Sequence, residues 1–424
     1  NRSKALVYPI ETLLVDRLSG NRLYRVTDFS AQRMLASVDS SIFAKQNFTL
    51  TEERKTILGY ACKKAITSVN SNSIEIWYTQ DLGIYAAPNE LGQTLGLVLE
   101  YVRNGNTRIT ATALDKLNDI PADLAIPSSA TLVDPLTYQD ELWKSKFLQV
   151  PIFQDAQINF SEHSTLDSIA HSPSDSILRF AHGTVILKKL RIPAVQAGSQ
   201  AFLELVEKSN GDAYDRTGSV FLIADDQELS FLDGMQQGMD ILPSYSNGDG
   251  KVYPGMVRTA GFSPIYELMR FFTPFGVAHF NDRLSLKDKT WQDSAIFRQD
   301  ISEFLPLLAG KEVYIGTYIG NYDKGGHRIS LELTIHPGGE SRMAKKKLLS
   351  LFTTTNVMEM GGQEYPTLFG HKQGLEVQFE LLEDAQDVQL RYLTTGHGGW
   401  GDGDEFVPKV NSLFLDDALV FQFT

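Results

Sequence analysis

Ser330-Leu331-Glu332-Leu333-Thr334-Ile335 puts Leu331, Leu333 and Ile335 on one side of an extended chain and Ser330, Glu332 and Thr334 on the other. Successive side chains of a strand point to opposite faces, so this period of two marks a half-buried strand. The pattern recurs. Leu375, Val377, Phe379 and Leu381 alternate with Glu376, Gln378 and Glu380, and Val388, Leu390 and Tyr392 repeat it. Residues 313–319 and 220–223 read as strands as well. Between such runs stand turn residues, as in Asn247-Gly248-Asp249-Gly250 and Lys324-Gly325-Gly326. This is the punctuation of hairpins and sandwich corners, not of βαβ units. The chain is therefore predicted to be mainly β. Thr137-Tyr138-Gln139-Asp140-Glu141-Leu142-Trp143 predicts a short helix capped by Thr137. Residues 229–241 read either as a helical insertion or as a loop.

With 424 residues the chain is too long for one core, so two or three domains are expected. Residues 121–135, rich in Pro, Ser and Ala, form the first break. His336-Pro337-Gly338-Gly339-Glu340 forms the second, and the following Lys345-Lys346-Lys347 reads as a solvated face at the junction. No repeat at solenoid spacing is present. The 39 basic against 52 acidic residues give a net charge of −13, which lacks the basic face a nucleic-acid partner requires. The single cysteine, Cys62, excludes an internal disulfide framework and a cysteine-based zinc site, and reads as a small buried apolar residue. No apolar run reaches the roughly 18 residues of a membrane-spanning helix. Asn1-Arg2-Ser3-Lys4 is not a signal peptide, so a processed or trimmed start is expected.

Several chemistries drop out. The sequence has no P-loop, no strand followed by a glycine-rich dinucleotide turn, no His pair at i, i+4 beside a glutamate, and no G-x-S-x-G elbow. Carboxylates in glycine-rich loops remain. Gly211-Asp212-Ala213-Tyr214-Asp215-Arg216 precedes a strand, where a carboxylate beside an arginine and an aromatic ring can orient a sugar and act on its leaving group. The same residues also suit a plain polar turn with an Asp–Arg pair. In Thr394-Thr395-Gly396-His397-Gly398-Gly399-Trp400-Gly401-Asp402-Gly403-Asp404-Glu405-Phe406, five glycines allow close backbone approach, and Trp400 and Phe406 offer faces for a sugar. Asp402, Asp404 and Glu405 crowd like charges, which raises at least one pKa toward the range of a working acid or base. A flexible acidic loop, or a calcium loop with oxygen ligands at alternate positions, is the other reading.

In order along the chain, these motifs resemble the peptide-N-glycosidase F family. Tyr214-Asp215-Arg216 matches its aromatic–aspartate–arginine motif, with Asp212 as a second acid upstream. Arg270-Phe271-Phe272-Thr273-Pro274 resembles its Arg-Phe-x-Thr-Pro segment, and Asp300-Ile301-Ser302 with Leu307-Leu308-Ala309-Gly310 follows. Gly326-His327-Arg328-Ile329-Ser330-Leu331 resembles the strand closing its first domain, and Leu393-Thr394-Thr395-Gly396 with Glu405-Phe406 the loop that carries its catalytic glutamate. The resemblance covers residues 150–424. The remainder looks like the added N-terminal domain of longer, type II members.

The family's fold implies two jelly-roll β-sandwiches packed side by side, preceded by an N-terminal mainly-β (α+β) domain. Boundaries are expected at 1–148 (accessory), 149–337 (first jelly roll) and 338–424 (second). The implied activity is hydrolysis of the amide joining asparagine to N-acetylglucosamine in N-linked glycoproteins or glycopeptides, leaving aspartate. Asp215 and Glu405 are the implied catalytic pair, with Tyr214, Arg216, Asp212, Tyr322, His397, Trp400 and Phe406 as substrate-binding residues. No metal, cofactor or nucleic acid is implied; a monomer outside the cytoplasm (periplasmic, secreted or envelope-associated) is. Two departures stand out. Gly320 occupies the place of a third family acid, with Asp323 as a nearby substitute. The chain also stops 19 residues after Glu405, whereas the family continues, so an incomplete or processed chain is expected. A non-catalytic glycan-binding protein and a two-carboxylate glycosidase are the competing readings.

Overall fold

A computed structural model of the chain describes residues 9–17, 20–30, 33–119, 126–161, 176–224, 227–246, 248, 250–275, 287–289, 292–338, 347–361, 374–381, 385–396 and 407–424. Two compact units emerge, Asn1–Phe147 and Leu148–Thr424. Both are mainly β.

The first unit holds Ile10–Asp16 (β1), Arg22–Asp28 (β2), Met34–Asp39 (β3), Thr49–Ile57 (β4), Tyr60–Val69 (β5), Asn72–Thr79 (β6), Leu97–Arg103 (β7), Thr107–Thr110 (β8) and Ala130–Leu132 (β9). They form a four-stranded sheet in the order β1-β2-β3-β9 and a five-stranded meander β4-β5-β6-β7-β8. The meander follows from adjacent hairpins such as Ile57-Leu58-Gly59-Tyr60, where Leu58 and Gly59 both take positive φ. Cys62 is fully buried against Trp77 and Leu99, as a small hydrophobe should be. A helix spans Pro135–Lys144 (α1). Its cap is Asp134, one turn earlier than Thr137: the Asp134 carboxylate accepts from the N–H groups of Leu136 and Thr137, both at 3.0 Å. Pro135 suits the first turn because its missing N–H would have no partner there.

The second unit is built on Leu148–Ile158 (β10), Leu178–Phe180 (β11), Val185–Arg191 (β12), Gln200–Ser209 (β13), Thr217–Ile223 (β14), Ser244–Tyr245 (β15), Tyr253–Pro254 (β16), Tyr266–Phe272 (β17), Ala295–Asp300 (β18), Glu312–Ile319 (β19) and His327–His336 (β20). One sheet runs β10-β20-β13-β18 and the other β11-β12-β19-β14-β17, with all pairings antiparallel. Strand β20 alternates along its whole length, with His327, Ile329, Leu331, Leu333 and Ile335 buried. Its four aliphatic residues join Ile186, Val220, Leu222, Leu268 and Ile315 of the other sheet in one core, which makes a β-sandwich.

The five-stranded sheet is covered on its other face too. There Val185, Leu187, Phe221, Ile223 and Tyr318 pack with Phe231 and Met235 of a short helix, Phe231–Gln237 (α2), and with Val357 and Met358. Double burial explains why Val220-Phe221-Leu222-Ile223 is apolar throughout instead of alternating. Residues 229–241 thus hold a helix, started by Ser230 and Asp233, each side chain of which engages the other's backbone N–H. A 3₁₀ turn, Met239–Ile241, follows it.

Toward the C-terminus the strand expectation fails in part. Residues 375–381 and 388–392 carry the period-two pattern but pair with no strand among the described residues, and Leu381, Val388 and Leu390 are exposed. Alternation marks chain that can enter a sheet; a ladder also needs a neighbour offering its N–H and C=O groups. The hairpin Asn411–Leu415 (β21) with Ala418–Phe423 (β22) closes the described chain. Lys345 and Lys346 lie outside the described residues.

Candidate active site

The site forms where β13, β14, β19 and β20 end beside one another. On β13 the inward row reads Ala201, Leu203, Leu205, Glu207, and on β20 it reads Ile335, Leu333, Leu331, Ile329, His327. Each apolar row therefore finishes in a charged or ionisable residue at the same end of the sheet. Glu207 and His327 are 2% and 1% exposed, and the His327 Nδ1 lies 2.7 Å from the Glu207 Oε1. The other ring nitrogen lies 3.5 Å from Oδ2 of Asp212, itself 3% exposed.

Asp212 is the hub. Its carboxylate receives Nε of Arg216 at 2.7 Å on Oδ2, Nη2 of Arg216 at 3.2 Å on Oδ1, and the Tyr214 N–H at 3.0 Å. Burial alone would push its pKa up. The His327 ring 3.5 Å away and the hydrogen bonds from Arg216 and the Tyr214 backbone outweigh burial and hold it well below the usual carboxylate range. For His327, burial disfavours the imidazolium, but the Asp212 and Glu207 carboxylates prevail and its pKa rises above 6.5. Glu207, His327, Asp212 and Arg216 thus form a buried polar chain ending at the mouth of the sheet.

Asp215 stands at that mouth, half-buried, directly before β14. The backbone on either side of it is fixed by one residue. The Thr273 hydroxyl, 1% exposed, accepts the Arg216 N–H at 2.8 Å and donates to the Tyr214 carbonyl at 3.1 Å. The Thr273 N–H also donates to the Arg216 carbonyl at 2.9 Å. Arg216 places its guanidinium 4.9 Å from the centre of the Tyr214 ring and 6.0 Å from that of Tyr322. Phe275 packs edge-on against Tyr214 and Phe160 lies beside Tyr322. Tyr214, Phe275 and Tyr322 are all more than half exposed, so the mouth presents aromatic surface around a fixed cation.

A second polar knot ties the sheet to the glycine-rich loop. Arg270 of β17 binds both oxygens of Glu267, at 2.5 and 2.7 Å, and donates through Nη1 to the Thr395 hydroxyl at 2.8 Å; Nη2 also reaches Thr355. Ser219 of β14 donates to the same Glu267 at 2.8 Å. Thr395 is the foot of the segment leading to Glu405. His397, Trp400, Asp402, Asp404, Glu405 and Phe406 lie outside the described residues.

Of the residues singled out from sequence, Asp212, Tyr214, Asp215, Arg216 and Tyr322 come together. Asp323, the acid near position 320, accepts the N–H groups of Gly325 and Gly326 on its Oδ1, at 2.7 and 2.8 Å, in the turn before β20. The sequence reading missed Thr273, Glu207 and His327 as site residues. The two charged ends of apolar rows were a visible signal, whereas Thr273 stood in a family-like segment without a sign of its role, since its two bonds go to backbone remote in sequence. Among the described residues no group of three or more His, Cys, Asp or Glu is arranged to hold a metal ion.

Three family models match: "Peptide-N-glycosidase F, N terminal" over residues 149–335, "Peptide-N-glycosidase F, C terminal" over 364–424, and "N-glycanase peptide, N-terminal domain" over 1–140. Two solved structures of PNGF-II, in space groups C2 and P21, are each 48% identical to the chain with a TM-score of 0.85. In both, the alignment covers 99% of this chain and 76% of the other. No curated protein matches.

Proposed function

Since the chain belongs to the peptide-N-glycosidase F family, we propose that it hydrolyses the amide between asparagine and N-acetylglucosamine in N-linked glycoproteins or glycopeptides. Water adds its oxygen to the side-chain carbonyl carbon, the C–N bond breaks, the glycan leaves as its glycosylamine, and aspartate remains. An amide nitrogen is a poor leaving group and neutral water a poor nucleophile, so the reaction calls for two carboxylates with separate tasks. In this reading Asp215 works at the scissile bond and Glu405 orients or deprotonates the water.

The observation that carries the reading is the preparation of Asp215. One buried hydroxyl, that of Thr273, holds the peptide groups on both of its sides. Arg216 beside it is fixed on Asp212 by two bonds. A guanidinium has five N–H donors, so this leaves others for the sugar. Tyr214 and Tyr322, with Trp400 and Phe406 from the loop and His397 at its start, supply stacking faces and polar contacts for the glycan. Thr395, from which the chain runs on toward Glu405, is held by Arg270 at 2.8 Å.

Residues 1–148 then serve as an accessory domain, 149–337 as the first jelly roll and 338–424 as the second jelly-roll domain. The enzyme acts as a monomer outside the cytoplasm, where glycoprotein substrates are met. No helix among the described residues is long and apolar enough to cross a membrane. The test is a defined glycopeptide followed by mass spectrometry. The expected product is free glycan with aspartate in place of asparagine, and Asp215→Asn and Glu405→Gln should each abolish it. Asparagine still bearing a sugar would mean glycosidase action instead. No release by the parent, or full release by both variants, would overturn the assignment.

A further inference from the structure

Only a doubly protonated imidazole can serve two carboxylates at once, because a neutral ring has one N–H and meets the second acid with a lone pair. His327 is placed between two such acids. It and Glu207 are diagonal neighbours on the inner face of one sheet, His327 opposite Ser209 and Glu207 opposite Ile329. Its Nδ1 lies 2.7 Å from Glu207 Oε1. Its Nε2 is buried and in no hydrogen bond among the described residues, and Asp212 Oδ2 stands 3.5 Å from it. The other charged groups of this corner are spent elsewhere. Lys208 and Arg328, next in sequence to Glu207 and His327, turn to the opposite face and pair there with Asp293 and Asp155. Asp323 accepts two N–H groups of its own turn, and β10 sets the uncharged Ile158 opposite His327. Arg216 completes the cluster on Asp212.

With the ring charged, signs alternate along the chain of groups: Glu207 negative, His327 positive, Asp212 negative, Arg216 positive. Without that charge, two buried carboxylates share one cation, an arrangement buried charges do not tolerate. One acid must then take up a proton or shift. Asp212 is the acid that matters for the reaction. It holds Arg216 by two bonds, at 2.7 and 3.2 Å, and the Tyr214 N–H at 3.0 Å, so it sets both neighbours of Asp215.

From this geometry we propose that His327 is a positioning residue of the reaction: its two ring N–H groups, one toward Glu207 and one toward Asp212, keep Asp212 where it aims the Arg216 guanidinium at the sugar. At 1% exposure His327 touches no substrate and acts through Asp212. The proposal rests on the amidase reading for the reaction, and on the buried cluster for the coupling. Its sign is fixed. Burial lowers the pKa of His327, but the Asp212 and Glu207 carboxylates prevail and raise it above 6.5. The ring is charged and the corner set below that folded pKa, so turnover falls as pH climbs through it.

The test is the pH profile of kcat/KM for a defined glycopeptide on the full chain, with thermal melting to show that each variant is folded at each pH. The parent should lose activity on the alkaline side of pH 6.5. Glu207→Gln keeps the shape but removes one of the two charges that hold the ring proton, so the same loss should begin at least about one pH unit lower. His327→Gln, whose amide N–H can stand where Nε2 does, should turn over more slowly than the parent and without that alkaline loss. His327→Asn reaches only the Nδ1 position, toward Glu207. It should fall about tenfold below His327→Gln, the loss expected for one hydrogen bond to a carboxylate. If neither His327 variant folds, the Glu207→Gln profile decides alone. An alkaline loss at the same pH in parent and Glu207→Gln, or equal rates for the two His327 variants, sinks the proposal and leaves the amidase reading intact. If the parent releases no glycan, the amidase reading fails, and calorimetric titration of the glycopeptide over the same pH range decides instead. Affinity that weakens with pH, and at lower pH in Glu207→Gln, supports the proposal; affinity that is independent of pH, or absent, overturns it.

Discussion

Thr273 shows how much of this site depends on a residue with no chemistry of its own. Replacing it with valine keeps the shape but removes the hydroxyl that bonds both neighbours of Asp215. Leaving buried backbone groups without partners costs about 1–3 kcal/mol each. Thr273→Val should therefore depress kcat strongly with a moderate fall in thermal stability, whereas Thr273→Ser should retain most activity; steady-state kinetics beside a melting curve separates the two effects. His327 allows a pH test. A group whose pKa rises on folding adds stability below its unfolded value and loses it as pH climbs through the folded one. The advantage of the parent over His327→Gln should then be largest below pH 6.5 and shrink above it. At the acid end the gap should be about 3–5 kcal/mol, the cost of leaving buried carboxylates without their cation. Asp212 acts in the opposite sense. Its stabilisation is present above 3.8 and fades as the pH falls further. Denaturant melts between pH 4 and 9, an interval of about two residues' titration ranges, would show a gap independent of pH if His327 were neutral throughout.

Among the strands, β14 and β19 flank the site, and each has a glycine packed beneath a phenylalanine ring. Gly316 lies opposite Phe221 across the ladder, and a Cβ there would come within 2.4 Å of the Phe221 ring. Gly218 stands likewise under Phe271, at 2.2 Å. These glycines take ordinary φ, so their need is space and not conformational freedom. Overfilling such a contact costs about 1–3 kcal/mol. Gly316→Ala should lower the melting temperature. Because β14 and β19 lead to Asp215 and Tyr322, it should lower kcat/KM as well. An alanine variant with unchanged melting and rate would mean the phenylalanine rings move aside freely.

At the level of the whole molecule, the two units have separate cores. Ala65, Ile74, Ile76 and Tyr78 anchor the first, and the two faces of the five-stranded sheet anchor the second. All described residues of the candidate site belong to Leu148–Thr424. A chain of residues 148–424 alone should therefore still cleave a short glycopeptide, with kcat near that of the full chain, while residues 1–147 alone should release nothing. Loss of turnover in the shorter chain, with its fold intact by circular dichroism, would assign the first unit a part in the chemistry.

The sequence by itself determined the β class, the strand that centres the first sandwich, and the Tyr214-Asp215-Arg216 corner. Period-two burial and local turn chemistry are written in neighbouring residues, and those signals survive without any knowledge of the fold. It also suggested strands at 375–381 and 388–392 that find no ladder among the described residues, because alternation says nothing about the partner. Only the tertiary structure joined Glu207 to His327 to Asp212 and set Thr273 astride Asp215. Those contacts span 57 to 120 positions of sequence where they are hydrogen bonds between two named residues. Contacts at such separations are decided by how sheets stack and where strands end, which no local pattern encodes.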